Sequence, residues 1–346
     1  MANDRIPVGM IIHPQGAHLD AYFEALAKTK EAESVFVVDP TGETEEKARK
    51  FLGDKFGGLF RDSASMLQQA KPKMCLVSLE AVKTPPAIEA ALNAGCHILA
   101  EKPACIRAED FAPLVQKADS KHLHLMLALA NRITPPIREA RRVIRKGLLG
   151  QIYGVELHVI ADQTRLKSPE YHQNWFAHKS RAGGGHLIWL GIHWLDLATH
   201  LTGMKISEVA AMTQNVGGQP IDVEDSATVL MKFDNGSAGT MTSGYYLDKG
   251  YNMHIRIWGS CGWLQLGDLD TTPLVYYSTV DTKDPKEQKF EYPSGQRGYT
   301  PFVQAAVRAS AGLEDAPING AEGLQVLRTI FGCYKAAETG CRQKLG

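Results

Sequence analysis

Two stretches carry residues whose types and spacing could do chemistry. One is Gly183-Gly184-Gly185-His186-Leu187-Ile188-Trp189-Leu190-Gly191-Ile192-His193-Trp194-Leu195-Asp196, midway along a chain of 346 residues. Glycine contributes no side-chain contact and loses the most entropy on ordering, so three in a row predict a loop where a ligand approaches the backbone. Beyond it, His193, Asp196 and His200 recur at i, i+3 and i+7, along one side of an otherwise apolar helix. Imidazole and carboxylate so arranged could move protons or hold a metal. They could equally be satisfied polar groups that support the helix. The other stretch is Glu101-Lys102-Pro103, a lysine at the end of an apolar strand and followed by a proline.

The first part of the chain alternates short apolar runs with helical patterns. Strands are expected at 8–12, 35–38, 74–78, 97–100 and 123–127, with helices at 18–30, 43–52, 86–93 and 108–118. Strands buried on both faces and separated by helices imply a doubly wound parallel sheet whose ligand lies at the strand carboxyl ends. Asp39 ends the second strand, where such sheets hydrogen-bond an adenosine ribose, and no Arg or Lys follows it before Lys47. NAD is therefore expected over NADP, although G-x-G-x-x-G is absent and only Gly9 and Gly16 flank the first turn. Beside a nicotinamide, which is cationic when oxidised, the charged form of Lys102 would be disfavoured and the amine could act as acid or base. An ordinary solvated lysine is the alternative.

After about residue 150 strands follow one another, with period-two alternation at 228–233 and an Asp234-Asn235-Gly236 turn. Basic and acidic residues balance at 38 each, which points away from nucleic acid and anionic membranes as partners. No apolar run reaches a membrane span, and six cysteines without a CxxC pair suit free thiols in a reducing cytoplasm.

The succession of these elements, together with Ala94-Gly95-Cys96-His97-Ile98-Leu99-Ala100-Glu101-Lys102-Pro103, Asn131-Arg132, Leu149-Gly150-Gln151-Ile152-Tyr153, Trp175, the 183–196 motif, Val223-Glu224-Asp225-Ser226-Ala227 and Pro317-Ile318-Asn319-Gly320, resembles the glucose-fructose oxidoreductase, inositol dehydrogenase and MocA family. The resemblance implies an N-terminal Rossmann domain (1–127) binding NAD. It also implies an α+β C-terminal domain (128–346) with a large, mostly antiparallel sheet that binds substrate and joins subunits into a dimer or tetramer. Lys102 and His193 match the family's catalytic residues. The cofactor positions are Ile12, His13, Gln15, Gly16, Asp39, Ser78, Leu79, Glu101, Lys102 and Asn131. Trp175, His186, Trp189 and Asp196 would face a carbohydrate, and no metal is expected. The implied reaction is NAD-dependent oxidation of a ring hydroxyl of a sugar, glycoside or cyclitol. A lyase or hydrolase that uses bound NAD transiently is the other enzymatic reading. Metal-assisted catalysis at His186, His193, Asp196 or His200, or a binding protein without catalysis, are further readings. Three departures from the family stand out: the phosphate-binding glycines are reduced to Gly16, Ser78-Leu79-Glu80-Ala81 and Thr84 replace the usual Ala-Thr-Pro-Asn and histidine, and Trp189 occupies the place of the catalytic aspartate.

Overall fold

The computed structural model describes all residues except 1–3, 281, 296–297 and 346. The chain forms two compact units. The first comprises Met1–Ala130, Ser180–Gly183 and Gly298–Gln325, and the second Asn131–Lys179, Gly184–Arg297 and Val326–Gly346. Two short later segments thus return to the first unit, which a single division at 127/128 does not include.

The first unit holds six strands: β1 (Ile6–Ile12), β2 (Ala32–Val38), β3 (Phe56–Phe60), β4 (Met74–Ser78), β5 (His97–Ala100) and β6 (Leu125–Leu127). Their order is β3-β2-β1-β4-β5-β6 and every pairing is parallel. β4 and β5 are buried along their whole length, as strands covered by helices on both faces must be. The order reverses between β1 and β4, the switch point at which such a sheet opens a crevice. β3 escapes the sequence pattern because Phe56-Gly57-Gly58-Leu59-Phe60 carries two glycines, which weaken a strand signal. Gly57 is needed there, since a Cβ would stand 2.6 Å from the Phe36 ring.

The second unit holds nine strands: β7 (Ile152–Asp162), β8 (Ile206–Gln214), β9 (Ser226–Phe233), β10 (Ala238–Leu247), β11 (Tyr251–Gly259), β12 (Gly262–Leu266), β13 (Leu274–Ser278), β14 (Gln288–Phe290) and β15 (Gln343–Lys344). They run in the order β14-β13-β12-β11-β7-β10-β9-β8-β15, antiparallel except for β7 beside β10. β9 alternates strictly between buried and exposed positions, so one face of the sheet carries the core (Val155, Leu157, Val229, Met231, Met241, Ile255) and supports the helix Ile192–Thr202. Met212, Leu230 and Trp258 are exposed on the other. Among the described residues no helix is long and apolar enough to cross a membrane.

Candidate active site

In the first unit a cleft of about 480 Å³ opens where β1, β2 and β4 end, walled by Ile12, His13, Val38, Pro40, Leu79 and Glu80, with Arg61 and Lys83 among its polar lining. Its apolar walls suit the adenosine half of a dinucleotide. Gly16 and Ser78 build the turn beside it: Gly16 N–H donates to His13 O at 2.7 Å, and Ser78 Oγ donates to Ala17 O at 2.8 Å. A Cβ on Gly16 would stand 2.5 Å from Ser78 O, so no other residue fits that approach. Gln15 N–H turns inward to His13 Nδ1 at 3.2 Å.

Asp39 departs from expectation. It is fully buried, and its carboxylate accepts four bonds from its own loop, two from Thr41 (2.9 Å each) and two from Thr44 (2.9 and 2.8 Å). Burial pushes this carboxyl up, and the Thr44 and Thr41 donors outweigh it and hold the group below the usual range. A carboxylate so saturated has no free acceptor for a ribose diol. A cation does reach that loop, from just beyond the end of β3. The Arg61 guanidinium lies 1.9 Å from where a Cβ on Gly42 would be, on the loop that Asp39 organises. Asp39→Ala is accordingly expected to cost about 1–3 kcal/mol of stability while the ratio of NADH to NADPH affinity stays within about threefold. Fluorescence titration of both cofactors checks this, and a selective loss of NADH would return the ribose to Asp39.

Glu101 and Lys102 close β5 and are buried, at 4% and 2% exposure. Glu101 accepts from Tyr22 OH and from Lys102 N (3.0 Å), pairs with His18 Nδ1 at 3.4 Å and stands 3.9 Å from Lys102 Nζ. Burial pushes its carboxyl up, and His18, Lys102 and Tyr22 together hold it below the ordinary value, so it stays ionised. Glu101 thus supports Lys102 from within the protein and is not part of the cleft wall. The solvated-lysine reading of Lys102 does not survive its burial. Glu80, at the departure from the family pattern, accepts two bonds from Arg181 at 2.9 Å each and one from Lys83 at 2.8 Å. Arg181 above all, then Lys83, outweigh burial and hold the Glu80 carboxyl down at about 2.

In the second unit Gly184 and Gly185 prove to serve the protein's own packing. A Cβ on Gly184 would lie 2.1 Å from Tyr334 OH, and one on Gly185 would lie 1.9 Å from Glu224 O. That closeness lets Glu224 and Tyr334 satisfy four successive N–H groups at the start of the helical run: Gly185 and Leu187 donate to the Glu224 carboxylate (2.7 and 2.9 Å), His186 to Glu224 O (3.0 Å) and Ile188 to Tyr334 OH (3.1 Å). These are the donors a helix start leaves unpaired, and a carboxylate from a remote strand entry caps them. The turn that follows, Leu187–Gly191, is a π-helix and passes into the helix Ile192–Thr202 that bears half-buried His193.

That π turn removes the basis for aligning Trp189 with His193, because the spacing argument assumes 3.6 residues per turn. Trp189 instead packs at 4.7 Å from Phe176 and 5.7 Å from Trp175. Trp189 and Phe176 are half-exposed, whereas Trp175 is buried behind them and cannot meet a sugar directly. Asp196 is likewise not substrate-facing. It is 1% exposed and receives the Arg132 guanidinium in a fork, with Nε at 2.9 and 3.0 Å and a terminal nitrogen at 2.6 Å. Asn131, beside Arg132 in the turn Ala130–Ile133, is buried. His186 is fully buried, with Nδ1 2.6 Å from Ser243 Oγ, and cannot touch a substrate from there. His200 is held down at about 3 by burial and by Arg132, Arg141 and Arg145. Among the described residues no group of three or more His, Cys, Asp or Glu could hold a metal ion.

His186 carries a pH signature. Burial, then the charge of Arg165, lower it from 6.5 to about 3. As pH falls through 6.5 the unfolded chain takes up a proton that the folded one refuses, so stability present at neutral pH is lost on acidification. This group alone should remove about 2 kcal/mol between pH 7 and pH 5. Urea unfolding at both pH values, with His186→Gln as reference, checks the slope.

Residues 10–129 match the model of an oxidoreductase family with an NAD-binding Rossmann fold, and residues 137–265 match the GFO/IDH/MocA C-terminal domain. The chain belongs to the Gfo/Idh/MocA oxidoreductase family. Its Rossmann domain is of the NAD-binding kind. A levoglucosan dehydrogenase of Pseudarthrobacter phenanthrenivorans is 27% identical over 173 residues, 44% of either chain. A D-glucoside 3-dehydrogenase of Escherichia coli is 27% identical over 221 residues, 59% of this chain and 60% of that one. The matches span about half the length of the first curated relatives. Among solved structures, an oxidoreductase domain protein from Kribbella flavida superposes with TM-score 0.88 at 21% identity, and a levoglucosan dehydrogenase in complex with NADH and L-sorbose with 0.86 at 20%, each covering 99% of both chains. At such identities the likeness speaks for the fold.

Several side chains that hold the candidate residues were not anticipated: Glu224 and Tyr334 at the helical run, Arg132 at Asp196, Tyr22 at Glu101 and Arg181 at Glu80. Glu224 and Arg132 stood in quoted family landmarks without a role. Tyr334 and Tyr22 sit in ordinary helical patterns and gave no signal.

Proposed function

We propose that this protein oxidises a ring hydroxyl of a sugar, glycoside or cyclitol with NAD. The observation that carries the reading is Lys102, an amine buried at the end of β5 and backed by an ionised Glu101. When bound, NAD supplies the hydride acceptor, with Ile12, His13, Leu79 and the Gly16 turn as the residues that would hold it. His193 takes the hydroxyl proton, and the Lys102 ammonium stabilises the developing alkoxide. Trp189, unable to titrate, offers with Phe176 an apolar surface for a pyranose face. The test is absorbance at the NADH maximum with a panel of pyranosides and inositols: NADH accumulating in step with ketone product supports the reading, and turnover without NADH defeats it.

The same reading includes a homo-oligomer formed through the outer face of the nine-stranded sheet, supported by Met212 at 76%, Leu230 at 57% and Trp258 at 40% exposure on that face. It also places the protein in the cytoplasm, which suits the buried free thiols of Cys75, Cys96, Cys105 and Cys333. Light scattering of the protein and of Leu230→Lys checks the assembly: a smaller species in the variant is expected.

A further inference from the structure

Where β7 and β10 end and β11 begins, the second unit gathers an arginine and three tyrosines. Arg165 lies in the turn Thr164–Lys167 after β7. Its guanidinium carbon is 5.5 Å from the centroid of the Tyr245 ring, and a terminal nitrogen reaches Tyr251 OH at 3.3 Å. Tyr171 is a third phenol close enough to interact with it electrostatically. Among the described residues Arg165 makes no ion pair. A guanidinium has five donors in a planar fork, and one long bond to a phenol leaves most of them open.

The carboxylates nearby are turned to other donors. Asp162 Oδ1 accepts Thr164 N–H at 2.7 Å, and Glu224 is taken by Gly185, Leu187 and Tyr334. The Tyr245 ring also meets a histidine. His186 stands edge-on to Tyr245 at 4.4 Å and is fully buried, and among the described residues its Nε2 has no hydrogen-bond partner. From Tyr171 the aromatic surface continues to Phe176 at 6.4 Å and on to Trp189 at 4.7 Å. A planar cation without a close ion pair among the described residues therefore sits at one end of a strip suited to a sugar face.

We propose that Arg165 binds an anionic substituent of the substrate, so that the sugar oxidised here carries a carboxylate or a phosphate. The tyrosines hold the fork in place without neutralising it, and a planar oxyanion matches its paired donors. This inference rests on the dehydrogenase reading above. Its substrate is an acidic sugar, with the charged group at Arg165 and the ring against Phe176 and Trp189.

The test uses the full chain with NAD and three probes: D-glucuronate, D-glucose 6-phosphate and neutral D-glucose. NADH formation and calorimetric binding in the presence of NADH are measured for the wild type, Arg165→Met and Arg165→Lys. One anionic probe is expected to exceed glucose in kcat/KM by about tenfold or more, and which of the two does so tells carboxylate from phosphate. Arg165→Met should cut that preference by roughly 10–100-fold, with Arg165→Lys between it and the wild type. The KM of the preferred anion should rise with ionic strength while that of glucose does not, a readout that survives if a variant fails to fold. Glucose handled as well as either anion, a preference unmoved by Arg165→Met, or no binding of either anion overturns the proposal. An anionic probe that binds in an Arg165-dependent way without forming NADH keeps this inference and removes the dehydrogenase reading. NADH formed from glucose alone does the reverse.

Discussion

Lys102→Met is expected to lower turnover by about 10²–10⁴-fold while NADH binding changes by less than about tenfold. The side chain is 2% exposed, so methionine fills its volume, and the Glu101 carboxylate keeps Tyr22, His18 and the Lys102 backbone N–H as donors. In the proposed reaction the variant loses the positive charge that would stabilise the alkoxide, and an interaction made chiefly in the transition state lowers kcat more than it raises KM. His193→Ala should abolish turnover by a different route, through loss of the proton acceptor. Equal turnover in Lys102→Met and wild type, at matched cofactor saturation, would end the catalytic role of this lysine.

Asp196→Ala is expected to destabilise the protein by about 3–5 kcal/mol. The carboxylate receives three guanidinium contacts from Arg132 with both side chains almost wholly buried, at 1% and 2% exposure. Removing it leaves an arginine in a low-dielectric interior without its counter-charge, which costs more than the pair contributes when intact. The double variant Arg132→Met/Asp196→Leu, apolar at both positions, should recover most of that loss. Chemical denaturation of the three proteins measures the coupling, and equal stability of Asp196→Ala and wild type would show that the ion pair holds nothing. Because Asp196 lies on the helix that carries His193, the single variant should also lower kcat, whereas a substrate contact at Asp196 would raise KM in the double variant as well.

The sequence by itself determined which layers the chain could build. Apolar runs at β1, β2, β4 and β5, parted by helical patterns, require a parallel sheet, and the change to period-two alternation in β9 requires a sheet with one covered face. Lys102 at a strand end and His193 on a helix were legible for the same reason, since short-range periodicity sets both. Tertiary structure alone decided what each polar group meets. Arg132 reaches Asp196 across 64 positions, Glu224 reaches Gly185 across 39, and Tyr334 reaches Ile188 across 146, and no local pattern encodes such pairings. Asp39 turned from ribose partner to loop anchor because Thr41 and Thr44 offered its oxygens four donors within its own turn. Gly184 and Gly185 turned from ligand loop to packing surface because Tyr334 and Glu224 needed the backbone bare. Burial makes an unpaired polar group costly, so the fold assigns the partners and leaves the sequence to supply the candidates.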